Sequence, residues 1–234
     1  MRFFGLLRIL LLGCASLVAR AETISVSTNN TPLDRLALER LSAEIFGRLG
    51  LDFRLVSLPS ERSLVAANLG EVDGEGLRVA GLAASYPNLV QVPERFLSIS
   101  FVAFARNANL RLDQGWRSLA PHSVAFLTGW KMFEANVTGV RRITQVDRPE
   151  QLFKMLDSGR VDLALYTLAD GVALIHRMGL SSLVPLDPPL ADVDLYLYLN
   201  QRHQDLVPKI SQVLRQMKAD GTYDRILASI GAGD

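Results

Sequence analysis

The residues best suited to chemistry in this chain are polar groups set just behind apolar runs, where hydrogen bonds and charge can grip a small molecule. Thr128-Gly129-Trp130 follows the run Ser123 to Leu127 and opens a helix. Free N–H groups and the positive end of a helix dipole favour an anion there, Gly129 permits close approach, and Thr128 adds a hydroxyl. The same turn also suits a plain cap with Trp130 in the core, or Trp130 as a stacking wall for a ligand or cation. Arg62 stands in a first helical turn behind Leu58-Pro59-Ser60-Glu61, where its charge opposes the dipole and needs a partner: a ligand, Glu61 or another acid. Arg78, behind Asp73-Gly74-Glu75-Gly76, is either a cleft residue or a solvent-facing strand position. Asn29 directly follows the first strand, so its amide either faces a ligand or caps the next helix. Tyr166 and Thr167 end another apolar strand, and Asp170 begins the helix behind it. All three can face the same space, although Asp170 also reads as an ordinary helix start.

Catalytic and metal signatures are missing. The sequence has no Gly-x-Ser-x-Gly and no P-loop, and Gly74 and Gly76 lack the third glycine of a dinucleotide loop. His122, His176 and His203 are scattered without metal-ligand spacing. No catalytic residue, metal or cofactor is therefore expected. With 25 basic against 24 acidic residues and no basic run, nucleic acid is not an expected partner.

The beginning of the chain has the layout of an export signal: Arg2 and Arg8, an apolar run from Phe3 to Leu12, then Ala19-Arg20-Ala21 before Glu22. The run is too short to span a bilayer, so residues 1–21 are expected to be removed and the protein to work in the periplasm. A second reading takes Leu11-Leu12-Gly13-Cys14 as a lipobox with Cys14 lipidated. Cys14 is the only cysteine, so removal of the signal leaves no thiol and excludes disulfides and cysteine nucleophiles together.

The elements that must position these side chains alternate strand and helix, the pattern of an α/β protein with mainly parallel sheets. Thr23 to Thr28 is predicted as a strand, followed by Thr31-Pro32-Leu33-Asp34 as a capped helix start with a stripe at Leu33, Ala37, Leu41, Ile45 and Leu49. Further strands are predicted over Phe53–Leu58, Leu89–Val92, Ser98–Ala105, Ser123–Leu127, Arg142–Val146, Val161–Tyr166 and Asp194–Leu199, with Val72–Val79 as a turn and strand. Helices are expected over Ser60–Leu69, Leu168–Met178, Leu206–Ala219 and Tyr223–Ile230, and from the capping-box-like Asp147-Arg148-Pro149-Glu150. Leu183 to Val193, with Pro185, Pro188 and Pro189, reads as a connector. The grammar restarts after Arg106, which suggests two lobes: residues 22–104 with 193–234, and residues 105–192. Two crossings, near Phe104 to Asn107 and Asp187 to Asp192, would let the lobes close on a guest.

Gly70-Glu71-Val72-Asp73-Gly74, the strand and turn Val124 to Trp130, Gly159-Arg160-Val161-Asp162-Leu163-Ala164, and Met217-Lys218-Ala219-Asp220-Gly221-Thr222-Tyr223-Asp224-Arg225-Ile226 stand in order along the chain. Together they resemble family-3 periplasmic solute-binding proteins of ABC importers. The resemblance implies a type II periplasmic-binding-protein fold and a small polar solute, anionic or zwitterionic and amino-acid-like, clamped between lobes and passed to an inner-membrane permease. A monomer is expected. In amino-acid-binding members an arginine pairs with the ligand carboxylate, where this chain has Ala83-Ala84-Ser85-Tyr86-Pro87, and an acid stands at the position of Thr167. Two rivals keep the scaffold: a sensory module that reports its ligand to a receptor, and an exported dehydratase-like enzyme using Glu75 or Asp170.

Overall fold

The computed structural model describes residues 22–28 and 31–231. The export-signal and Cys14 readings, and Asn29, fall outside the described residues. No helix among the described residues is long and apolar enough to cross a membrane.

The first lobe contains β1 (Thr23–Thr28), α1 (Pro32–Arg48), β2 (Asp52–Ser57), α2 (Ser60–Leu69), β3 (Gly74–Arg78) and β4 (Leu89–Gln91). Then β5 (Leu97–Ala105) leads into β6 (Ser123–Leu127), α3 (Lys131–Asn136), β7 (Arg142–Val146), α4 (Pro149–Asp157), β8 (Leu163–Thr167) and α5 (Leu168–Met178). The chain returns through β9 (Val184–Pro185) and β10 (Ala191–Asn200), and ends with α6 (Val207–Ala219) and α7 (Thr222–Gly231) against α1. The proline-rich stretch read as a connector thus holds β9 and the start of β10. Prolines tolerate edge positions, and β9 pairs only with β5.

The strands run in the order β2-β1-β3-β10-β5-β8-β6-β7. Within each half, the outer strands are parallel: β1 with β2 and β3, and β6 with β7 and β8. β5 and β10 run antiparallel to their neighbours, so each sheet is mixed. Their paired stretch, Leu97–Phe101 with Ala191–Leu195, bridges the lobes. Beyond it Arg78 lies opposite Tyr196 and Thr167 opposite Phe101, so the carboxyl ends of β3 and β8 point toward each other across the bridge. In α/β sheets, ligands gather at such ends.

The two Val-Asp phrases do the same work in both lobes. Asp73 accepts hydrogen bonds from the N–H and hydroxyl of Ser25 at 2.8 and 2.6 Å, while its own N–H donates to the Ser25 carbonyl. Asp162 repeats this on Ser123 at 2.7 and 2.8 Å. Each aspartate staples the first strand of its lobe to the next parallel neighbour. Asp73 is braced further by Arg202 and by His203 Nε2 at 2.8 Å, which ties the strand pair to the returning chain.

α1 buries Ala37, Leu38, Leu41, Ile45 and Phe46 against β1, where Ile24 and Val26 are fully enclosed. α5 packs close to β5 because residue 171 is glycine: a Cβ there would stand 2.3 Å from the Phe104 ring. β6 and β8 are buried throughout, as interior parallel strands must be.

Candidate functional site

On the first lobe, Arg78 ends β3 and its guanidinium is held by a fully buried carboxylate. Arg78 Nε donates to Glu75 Oε1 at 2.6 Å, and the hydroxyls of Ser27 (2.6 Å) and Ser63 donate to Oε2. Burial pushes the Glu75 pKa up, against the opposing pull of Arg78 and both serines. Leu77, between them, has φ of 60°, at a register shift where β3 meets β10. A left-handed leucine costs about 1–3 kcal/mol and persists only where its surroundings enforce it. Here it sits at the irregularity between Glu75 and Arg78, so that Arg78 rejoins the ladder opposite Tyr196 while its side chain is braced on Glu75.

On the second lobe, the Trp130 ring stacks on Tyr166 with centroids 4.9 Å apart and on Phe133 at 5.6 Å, with Phe101 edge-on at 6.2 Å. Trp130 remains half-buried, packed against the core of its lobe with part of its surface open. Thr128 donates to Asp147 Oδ1 at 3.1 Å and to the Val146 carbonyl. Gly129, at φ 81°, donates its N–H to Glu134 Oε1 at 2.9 Å. A carboxylate of the chain therefore occupies the N–H that the turn offers to an anion. Lys131, then Gly129, holds the Glu134 pKa low.

The lobes touch where α1 and α5 begin. Asp170 Oδ1 accepts from the Leu33 N–H at 3.0 Å, so an acid of one lobe caps a helix of the other. The expected Thr31 cap is absent because its hydroxyl donates instead to Asp34 Oδ2 at 2.8 Å. The capping box expected at α4 is absent too, since Asp147 turns to Thr128. Asp170 was legible as a helix starter, but only its tertiary neighbours reveal that it serves the seam. Burial, with Asp170 and Asp34 nearby, pushes the Tyr166 pKa up, so acids from both lobes converge on this ring.

Asp34 was not singled out from the sequence. It is 7% exposed, and burial, relieved in part by Thr31 and reinforced by Asp170, raises its pKa from 3.8 to about 6. The folded chain holds this proton more tightly than the unfolded chain. Stability from this group is therefore full below pH ~4, falls as the pH rises to ~6, and stays lower above, by ~2–3 kcal/mol. Asp34→Asn should accordingly raise the unfolding free energy at pH 7.5 and leave it nearly unchanged at pH 4, as read by urea denaturation at the two pH values.

Arg62 is exposed at the start of α2, and the neighbouring Glu61 accepts instead from the Tyr86 hydroxyl at 3.3 Å. Thr167 is adjacent to Tyr166 but faces a different space. A cavity of about 870 Å³ lies along the seam between α1, β5, α5 and α7, with Asp34 and Thr167 in its wall and neither Arg78 nor Trp130.

No protein-family model matches the chain. An uncharacterised protein of Shewanella oneidensis is 23% identical over 232 residues, spanning 90% of this chain and 86% of that one. Among solved structures, a histidine kinase sensor domain with similarity to periplasmic binding proteins superimposes with a TM-score of 0.71 at 20% identity, over 92% of this chain and 97% of that one. An ancestral arginine-binding protein bound to glutamine gives 0.69 at 17% identity, covering 92% and 100%. The fold is that of type II periplasmic binding proteins. An amino acid ABC transporter substrate-binding protein of Streptococcus pneumoniae bound to L-arginine fits it with a TM-score of 0.67 at 13% identity, over 89% of this chain and 94% of that one. Such a fold has two lobes and a seam, and here the starts of α1 and α5 meet across it.

Proposed function

We propose that this protein is a periplasmic binding protein that captures a small zwitterionic, amino-acid-like solute between its lobes without chemical change. The observation that carries this reading is the placement of a braced arginine, Arg78 on Glu75, at one lobe edge and a half-buried aromatic wall, Trp130 on Tyr166, at the other. Arg78 would face the solute carboxylate, and Trp130 and Tyr166 its ammonium or apolar portion. Asn29, Thr128 and Gly129 would supply hydrogen bonds, with the carboxylate of Glu134 yielding to an incoming anion, while Arg62 steers from the rim. Thr167 and Asp170 would set the spacing of the lobes. Binding would favour the closed orientation because only that state contacts the solute from both sides.

Isothermal titration against amino acids, carboxylates and polyamines tests the reading. Binding of at least one amino-acid-like solute is expected, weakened about 10- to 100-fold by Trp130→Ala or Arg78→Ala. Unchanged affinity in both variants would sink it.

A second reading is favoured by the sensor-domain likeness, whose TM-score of 0.71 is as high as that of any transporter-type neighbour named above. The same clamp would then report to a membrane receptor rather than feed a permease. Capture of a histidine kinase or of a permease from detergent-solubilised membranes, with and without the solute, separates the two.

A further inference from the structure

The groove between α1, β5, α5 and α7 is distinct from the lobe edges that carry Arg78 and Trp130. We propose that it binds a small aliphatic ammonium compound, with the cation at Asp34 and Thr167 and the hydrocarbon lying along α5 and α7. Its volume, about 870 Å³, suits a small organic molecule. The wall is mostly apolar, with Leu97, Ile99, Leu168, Val172, Leu227 and Ile230. Leu168 and Val172 leave 36% and 45% of their surface open along this wall.

The polar end defines the ligand's head. The Thr167 hydroxyl is buried in a residue only 3% exposed and has no hydrogen-bond partner, although buried hydroxyls nearly always have one. Asp34, also in the wall, offers an acceptor, and no lysine or arginine stands among the described lining residues. A donor-bearing cation satisfies both groups, whereas a carboxylate would meet Asp34 as a like charge. The groups facing Asp34 are Thr31 on its own turn, Asp170 on α5 and Tyr166 on β8; His176 on α5 also lines the groove, and β5 and α7 bring no titratable side chain to the described wall. Because Asp34 takes up its proton near pH 6, the ammonium should bind more weakly below that pH. Since α1 and α7 belong to one lobe and α5 to the other, an occupant would also bias the hinge.

The test is thermal shift and isothermal titration of the purified protein with n-hexylamine, n-butylamine, n-hexanol and n-hexanoate at pH 7.5 and 5. Hexylamine should raise the melting temperature and bind roughly tenfold or more tightly than butylamine, since each buried methylene contributes about fourfold. Hexanoate should give no shift. Asp34→Asn, itself expected to be the more stable protein at pH 7.5, should weaken hexylamine at least about tenfold, and Val172→Trp should abolish binding by filling the groove. Trp130→Ala should leave hexylamine binding intact, which separates this groove from the solute cleft whatever the fate of that proposal. No hexylamine binding, equal binding of hexanoate, retention in Val172→Trp, or loss in Trp130→Ala would each overturn the assignment.

Discussion

Glu75→Ala is expected to lower the unfolding free energy by about 3–5 kcal/mol, among the largest effects of any single replacement in this chain. The carboxylate is fully buried and serves Arg78, Ser27 and Ser63 at once. Its removal leaves a guanidinium only partly open to water, with a side-chain exposure of 20%, without its buried counter-charge. A buried ion pair need not be worth much in total, because burial already raises the Glu75 pKa, yet deleting one partner strands the other. Glu75→Gln sharpens the point. Its oxygen can still accept from the serines, but its amide turns a donor toward the donors of Arg78. That variant should fold with a loss of about 1–2 kcal/mol and bind the cleft solute more weakly. Urea unfolding and titration of the two variants check this, and wild-type stability in Glu75→Ala would refute the bracing role.

Asp73→Ala should cost about 2–4 kcal/mol, and Asp162→Ala less, because Asp162 makes the same serine clamp with fewer additional partners. Hydrogen bonds from Ser25, Arg202 and His203 outweigh desolvation and hold the Asp73 pKa well below its ordinary 3.8. A carboxyl whose folded pKa is depressed contributes stability above its unfolded value and loses it on acidification. The wild type should therefore lose stability as the pH falls below about 4, and Asp73→Ala should lose less over that range. Circular dichroism melts of both proteins between pH 5 and pH 2.5 give the comparison. Parallel curves would show that Asp73 is not the responsible group.

The strand and helix alternation was readable because each element carries its own period and its own stop. Ser60 to Leu69 ends at Gly70, and Leu168 to Met178 ends at Gly179, both in left-handed caps that glycine adopts freely. β8 announced itself as an apolar run because an interior parallel strand is covered on both faces. The helix expected over Leu206–Ala219 is α6, preceded by a 3₁₀ turn at Gln201–Leu206, whose Asn200 side chain accepts from the Arg202 N–H at 3.2 Å. Short turns of that kind leave no periodic trace in a sequence. The Val-Asp phrases were legible as landmarks, but not their repeated grip on Ser25 and Ser123, which lie 48 and 39 residues away.

The sequence by itself determined the α/β grammar, the restart after Arg106, the absence of a thiol beyond Cys14, and the short set of polar side chains standing behind strands. Those properties are local: they depend on periodicity, glycine and proline, and on what a residue type can donate or accept. The tertiary structure alone decided that Arg78 is anchored by Glu75, that Glu134 already occupies the Gly129 N–H, and that Asp170 caps the start of α1 across the seam while Asp34, bonded to Thr31 on its own turn, is buried there. Each of these depends on which charge comes close to which, and on how much water is left between them. Burial and Coulomb interaction act through space, so residues 137 positions apart, Leu33 and Asp170, can share one hydrogen bond that no spacing in the sequence encodes.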